Sequence, residues 1–339
     1  MRILVDAMGG DYGPKEIVNG CIDSLDKTED FDILLIGDLK KIKEVIGNRK
    51  FDESRLEILH ADEVITNEDV PTKAIKTKKN SSMVVGFNLL KEKKGDAFIS
   101  AGNSGALMTG ALLILGRIKG VDRPAFAPIL PTKNGGAMLI DAGLNTVCKP
   151  INYLQFGVIG SIYMKEMFNI ENPKVGLLNV GSEQRKGNEL LKQAYEILAN
   201  SHLNFVGNIE GNDLPEGKVN VAVCDGFVGN VLLKFLEGVG TFIFGALKKM
   251  YTKNVFSKLS ALIVKKEFNA FRKGLDADEY GGTPILGVDG IVFKCHGNSK
   301  AKAVKNAIIK AHDFATTSVL RQIKEEFENM EVENIERSS

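Results

Sequence analysis

Residues 100–110 read SAGNSGALMTG, set between the apolar run Ala97-Phe98-Ile99 and a second apolar run from Ala111 to Leu115. An apolar run, a glycine-and-amide turn and a restart at helical spacing predict a buried strand, a tight corner and a helix. Such a corner aims unpaired backbone N–H groups and the positive end of a helix dipole at one point, and anions bind there. Glycine, serine and asparagine also meet turn and capping needs in any parallel βαβ unit, so one corner decides nothing alone.

The pattern repeats along the chain. VDAMGGDYGP (5–14) follows the apolar run Ile3 to Val5, and NVGSEQRKG (179–187) follows Val175 to Leu178. CDGFVGN (224–230) follows Val219 to Val223, and CHGNSKAKA (295–303) follows Ile291 to Phe293. Ile33 to Ile36 and Met138 to Ile140 are further apolar runs, and helical spacing fills 151–168, 188–199 and 299–313. Runs apolar on both faces, alternating with helices, predict an α/β fold with a mainly parallel sheet flanked by helices in three layers. The carboxyl ends of parallel strands share one edge, where ligands bind, so five such corners make a site.

The 339 residues are 44% hydrophobic and 26% charged, enough for one large α/β body. With no Pro/Ser-rich linker, the reading is a single α/β domain over 1–323 followed by a frayed acidic tail over 324–339. A formal net charge of +1 argues against a surface built for nucleic acid. The cysteines at 21, 148, 224 and 295 and the four histidines show no metal-ligand spacing. Cys224 and Cys295 read as small buried side chains rather than acyl-forming nucleophiles. No apolar stretch of about twenty residues runs uninterrupted, and no leader pattern opens the chain. The expected location is cytoplasmic, with at most a peripheral membrane contact. That contact falls on the basic segment 248–273, a protruding helical element with eight Lys/Arg against Glu267. Its Lys253, Lys258 and Lys265 flank an apolar face that includes Leu259 and Leu262, which suits an acidic protein partner or an anionic lipid surface.

None of the corners is a G-x-x-x-x-G-K-[ST] loop or a G-x-G-x-x-G fingerprint with a following acid, so nucleotide cofactors are not supported. What the corners offer are backbone N–H groups, the amides of Asn103, Asn230 and Asn298, the hydroxyls of Ser100, Ser104 and Ser299, and His296. Donors of this kind suit a small oxyanion or a carbonyl oxygen gaining charge. Lys78 and Lys79 stand just before a helix expected to start near Ser81 or Ser82 and supply positive charge. Asp6 and Asp11 are expected to brace the first turn, since carboxylates facing an anion would repel it.

The same residues resemble a known family. VDAMGGDYGP (5–14), KKNSSM (78–83), SAGNSGALM (100–108), RPA (123–125), LLNVGSEQRKG (177–187), GNIEG (207–211), DGFVGNVLLK (225–234) and GGTPILGVDGIVFKCHGNS (281–299) are similar to the ordered signature blocks of the bacterial phosphate acyltransferases, the PlsX family. Lys76, Leu144 and Ser182 depart from that pattern. The resemblance implies a homodimeric cytosolic enzyme that moves a long fatty acyl group from acyl carrier protein to inorganic phosphate. Its acyl phosphate product would feed a membrane glycerol-3-phosphate acyltransferase. The implied fold is that of phosphotransacetylases and isocitrate-type dehydrogenases, with neither metal nor nucleotide cofactor. A short-chain phosphotransacetylase using coenzyme A thioesters and a non-catalytic acyl-binding scaffold are the alternatives.

Thioester chemistry needs no protein nucleophile, because phosphate brings its own oxygen. The expected site therefore has Asn103, Ser104 and the N–H groups of Gly102 and Gly105 holding phosphate or the oxyanion, with Lys78 or Lys79 adding charge. Asp225 and Asn230 form the opposite wall, and His296 polarises the carbonyl or assists the departing thiol.

Overall fold

The computed structural model describes residues 1–254, 256, 257, 260 and 281–338, with side chains to residue 330. Twelve strands occur among the described residues, in two sheets. The first contains β1 (Arg2–Asp6), β2 (Asp32–Gly37), β3 (Leu56–His60), β4 (Ala97–Ser100), β5 (Ala125–Phe126), β11 (Thr283–Leu286) and β12 (Val292–Lys294). Their order is β3-β2-β1-β4-β12-β11-β5, parallel from β3 to β12 and antiparallel at the β11 edge. The second holds β6 (Ile129–Thr132), β7 (Gly135–Ile140), β8 (Val175–Leu178), β9 (Phe205–Ile209) and β10 (Val221–Val223) in the order β6-β7-β10-β8-β9, with β6 and β7 forming its antiparallel edge. The expected α/β architecture is present, divided between two mainly parallel sheets.

Side chains of successive strand residues point to opposite faces, and the core follows that alternation. Ile3 and Val5 of β1 pack with Ile17, Val18 and Cys21 of α1 (Lys15–Leu25) and with Val304 and Ala307 of a late helix, Ala301–Thr316. Leu4 joins Phe98 in packing on the other face, against Val84 and Phe87 of Ser82–Lys91 and Leu107 of Ser104–Gly110. In the second sheet Met138, Ile140, Val221 and Val223 pack against the buried helix Pro150–Phe168. Leu139 and Ala222 meet Leu232, Leu233 and Leu236 of Gly226–Thr252. In chain order the helices are α1, α2 (Leu39–Ile46), α3 (Pro71–Thr77), α4 (Ser82–Lys91), α5 (Ser104–Gly110), α6 (Pro150–Phe168), α7 (Glu189–Ala199), α8 (Asp213–Glu216), α9 (Gly226–Thr252), α10 (Ala301–Thr316) and α11 (Val319–Ser338).

Two expectations are corrected. The acidic segment from 324 is helical rather than frayed: α11 runs to Ser338, Ile323 and Phe327 are each 1% exposed, and Lys324 pairs with Asp289. An apolar i, i+4 pair among glutamates is enough to seat the helix. The chain also has a helix long and apolar enough to cross a membrane by length and composition, α9, of which 6% of the most apolar window is buried. Lys234 and Glu237 interrupt its apolar run in sequence, which hid it. The basic segment overlaps α9 at residues 248–252. Lys253 is exposed just beyond, whereas Lys258, Leu259, Leu262 and Lys265 lie outside the described residues.

Candidate active site

At the end of β1 the Asp6 carboxylate is 2% exposed. Its Oδ1 accepts from Ser82 Oγ at 2.6 Å and from the Met8 N–H at 3.1 Å, while Oδ2 accepts from Ser100 Oγ at 2.6 Å. Burial pushes Asp6 above the ordinary carboxylate value, against the pull of the Ser100, Ser82 and Met8 hydrogen bonds. Ser100 Oγ in turn accepts the Gly102 N–H at 3.0 Å. The glycines of the first corner are set by close approach: a Cβ on Gly9 would lie 2.6 Å from the Gly102 nitrogen, and one on Gly10, at φ +84°, 2.8 Å from the Gly297 oxygen. The Asp11 N–H donates to that same Gly297 oxygen at 2.8 Å. The corners after β1, β4 and β12 therefore touch one another.

Several expected anion donors are committed elsewhere. The Gly102 N–H belongs to Ser100. Asn103 is the N-cap of α5, its Oδ1 accepting from the Ala106 N–H at 3.0 Å and its Nδ2 donating to the Thr66 carbonyl at 3.1 Å. Lys78 donates to Asp69 Oδ2 at 2.6 Å and to the Val64 carbonyl at 2.8 Å, so it stitches the loop before α3 rather than standing as a free cation. Lys79 Nζ reaches back to the Ile75 carbonyl at 3.5 Å. Ser81 caps α4, where a helix start was expected. At the start of α5 the first two N–H groups, of Ser104 and Gly105, are not used by the Asn103 cap, and Ser104 is exposed. Gly105 is required by Pro71, whose Cγ a Cβ there would meet at 2.8 Å.

The second wall comes from α9 and the ends of β7 and β10. Asp225 caps α9, its Oδ1 accepting from the Val228 N–H at 2.9 Å. Asp141, fully buried at the end of β7, accepts from the backbone N–H groups of Phe126 at 3.0 Å, Leu144 at 3.0 Å and Asn145 at 2.6 Å. It thereby ties the second sheet to β5 of the first. Burial raises its pKa despite those bonds. A Cβ on Gly143 would sit 3.4 Å from the Asn230 amide oxygen, which places Asn230 over this corner. One turn along α9, Lys234 Nζ lies 3.2 Å from His296 Nε2 and 2.7 Å from Glu237 Oε2. Lys294, the last residue of β12, lies beside Ser100 in register and holds its ammonium 6.0 Å from the Phe126 ring centroid.

A ring of contacts thus runs from His296 through Lys234 and Asn230 to Gly143 and Asp141, then through Phe126 and Lys294 back to β12. The carboxyl edges of the two sheets meet across it. An ammonium can only donate, so the His296–Lys234 contact assigns the lone pair to Nε2 and the proton to Nδ1. Partial desolvation first, then the charges of Lys234 and Lys294, hold the exposed His296 below the ordinary histidine value. The imidazole is therefore set as a neutral acceptor rather than a proton donor to a departing thiol. Desolvation, with Lys234 adding to it, likewise lowers Lys294. All four cysteines are buried, and burial pushes Cys148 up to about 12 and Cys224 well above its usual value, so neither is an available thiolate.

Sequence spacing brought out His296, Asn230 and the glycine corners. It missed Lys234, Lys294 and Glu237, although the first two stand inside quoted blocks. The signal for Lys294 was a cation ending an otherwise apolar strand. For Lys234 it was the i, i+4 spacing from Asn230.

The family model described as fatty acid synthesis protein matches residues 1–322. A phosphate acyltransferase of Acetivibrio thermocellus is 65% identical over 337 residues, covering 99% of each chain. One from Thermoanaerobacter pseudethanolicus is 52% identical over 330 residues, covering 97% of this chain and 98% of the relative. Among solved structures, a phosphotransacetylase from Staphylococcus aureus superposes with a TM-score of 0.62 at 16% identity over 93% of this chain and 94% of that one, a likeness of fold. Matched from the first strand into the last helix, and by relatives this close, the chain is an enzyme and belongs to the family of the phosphate acyltransferases of fatty acid synthesis.

Proposed function

We propose that the enzyme transfers a long-chain acyl group from the thioester of acyl carrier protein to inorganic phosphate, releasing acyl phosphate for phospholipid synthesis. The observation that carries this reading is the meeting of three glycine corners and a cation-bearing helix around His296, with the cysteines buried. An oxygen of hydrogen phosphate attacks the thioester carbonyl carbon and forms a C–O bond. The tetrahedral oxyanion is received by the free N–H groups of Ser104 and Gly105. Collapse breaks the C–S bond, and the proton of the phosphate ends on the thiol sulfur. Fixing phosphate against the carbonyl contributes about 7–11 kcal/mol, and each oxyanion donor about 2.7–4 kcal/mol. Geometry therefore dominates, and a thiolate with a pKa near 8.5 leaves without a strong acid.

Exposed apolar residues of α9, Phe227, Val231, Phe235 and Phe242, begin beside the reacting end and give the acyl chain a surface to follow. The same helix, exposed among the described residues, offers a seat for a second copy of the chain and for peripheral contact with a cytoplasmic membrane face, where a membrane acyltransferase would consume the product. Purified protein given phosphate and either acyl carrier protein thioester or acyl coenzyme A tests the assignment. Acyl phosphate formed faster from the carrier-linked donor is the expected result. Preference for short acyl coenzyme A would overturn the donor, and no acyl phosphate from either would overturn the reaction.

A further inference from the structure

We infer that the phosphate substrate is held between the ammonium groups of Lys234 and Lys294, with His296 aiming the first of them. The inference rests on the transfer to phosphate proposed above. Lys294 ends β12 and His296 follows two residues on, within electrostatic reach of it. Lys294 is in register with Ser100, so its stem leaves the strand next to the corner that leads to the Ser104 and Gly105 N–H groups. Lys234 arrives from α9 on the opposite wall and is fixed by His296 Nε2 at 3.2 Å. Cations from both walls thus flank the mouth of the corner where the carbonyl is received.

Charge bookkeeping points the same way. Among the described residues Glu237 is the carboxylate that acts on both lysines, and it is already bonded to Lys234 at 2.7 Å. With a neutral imidazole, the group carries one positive charge in excess. Lys294 is drawn out of water beside Phe126 at a desolvation cost that a hydrocarbon side chain would avoid. A neutral thioester gives no return on that cost, whereas a phosphate dianion does. Charge-assisted bonds in such partly dry surroundings are strong.

A phosphodiester in the prosthetic arm of the carrier shares this chemistry, and the test separates the two sources. Calorimetric titration with inorganic phosphate, without donor, is run on the parent, Lys294→Met and Lys234→Gln. We expect each substitution to weaken phosphate binding about tenfold or more, and equal affinity in all three overturns the inference. In steady state the KM for phosphate rises in both variants while the KM for the carrier-linked donor stays put. A rise confined to the donor assigns the lysines to the arm and also overturns it. Lys294→Met, which replaces a desolvated cation by a chain of similar length, is expected to melt at or above the parent temperature. Should it fail to fold, Lys234→Gln carries the test, because that side chain is half exposed. As a positioning residue, His296 gives a higher phosphate KM in His296→Ala and partial recovery in His296→Asn, which keeps an acceptor; equal values in the two variants overturn its part. A parent protein that binds phosphate but makes no acyl phosphate sinks the proposed reaction and leaves this inference standing. One that makes acyl phosphate with phosphate KM unchanged in both lysine variants does the reverse.

Discussion

Asp6 and His296 define opposite kinds of residue at this cleft. Asp6 organises other groups: two serine hydroxyls and a backbone N–H end on its oxygens, and Ser100 passes the order on to Gly102. Asp6→Ala leaves those buried donors without an acceptor, at about 1–3 kcal/mol each. We expect a loss of about 3 kcal/mol or more in urea unfolding, and a loss under about 1 kcal/mol would remove the brace. His296 acts through its charge state. Its pKa is lowered, so the folded protein binds the proton more weakly than the unfolded chain, and the associated stability is present above the ordinary value of about 6.5 and lost as pH falls through the lowered one. In the proposed reaction turnover depends on the same neutral Nε2 facing Lys234, with Lys294, Glu237 and Asn298 as its other charged or polar neighbours. The pH–rate profile of the parent should therefore hold through neutrality and drop on the acid side below about 6.5, a limb that His296→Asn abolishes. An identical acid limb in that variant would place the titrating group elsewhere. At this scale the sequence was half informative. Asp6 was legible as a brace because a carboxylate has no place facing an anion. The commitments of Gly102, Asn103 and Lys78 were not, because their partners Ser100, Thr66 and Asp69 are chosen by loop geometry that spacing does not encode.

The helix α9 is the element on which the reading turns. At 3.6 residues per turn its sequence divides into three stripes. Leu232, Leu233 and Leu236 pack on the second sheet, Asn230, Lys234 and Glu237 face the cleft, and Phe227, Val231, Phe235 and Phe242 are exposed. In the linear sequence Lys234 and Glu237 look like breaks in an apolar run, whereas on the helix they form one edge of it. That is why a chain whose strands were legible from runs apolar on both faces concealed this exposed apolar surface. The same blindness affected α11, where Ile323 and Phe327 lie among glutamates. If the exposed stripe follows the acyl chain, Phe235→Ser should raise the KM for long-chain donors about tenfold and leave short-chain donors within twofold, since each buried methylene is worth about 0.8 kcal/mol. A parallel change for acetyl and long-chain thioesters, measured with one carrier, would detach the stripe from substrate.

Over the whole molecule, the two sheets bring their carboxyl edges together through contacts that no single corner contains: Phe126 to Asp141 and Lys234 to His296. Five corners were expected on one edge of one sheet. They occupy two edges, because the antiparallel pairs at β11, β5, β6 and β7 end one sheet and begin the next. With a net charge of +1, the molecule as a whole exerts little pull on an acidic carrier, so any steering must be local. The local excess lies at the far end of α9, where Lys248, Lys249 and Lys253 are exposed and the sequence continues basic to Lys273. Reversing these three to glutamate should lower kcat/KM for the carrier-linked donor about tenfold at low ionic strength. Added salt should close the gap between variant and parent, because screening removes from the parent what the substitutions removed from the variant. The rate with acyl coenzyme A, which has no acidic protein surface to dock, supplies the control. An equal loss with both donors, or a loss that salt does not erase, would mean that the lysines act on the fold of α9 and not on the approach of the carrier.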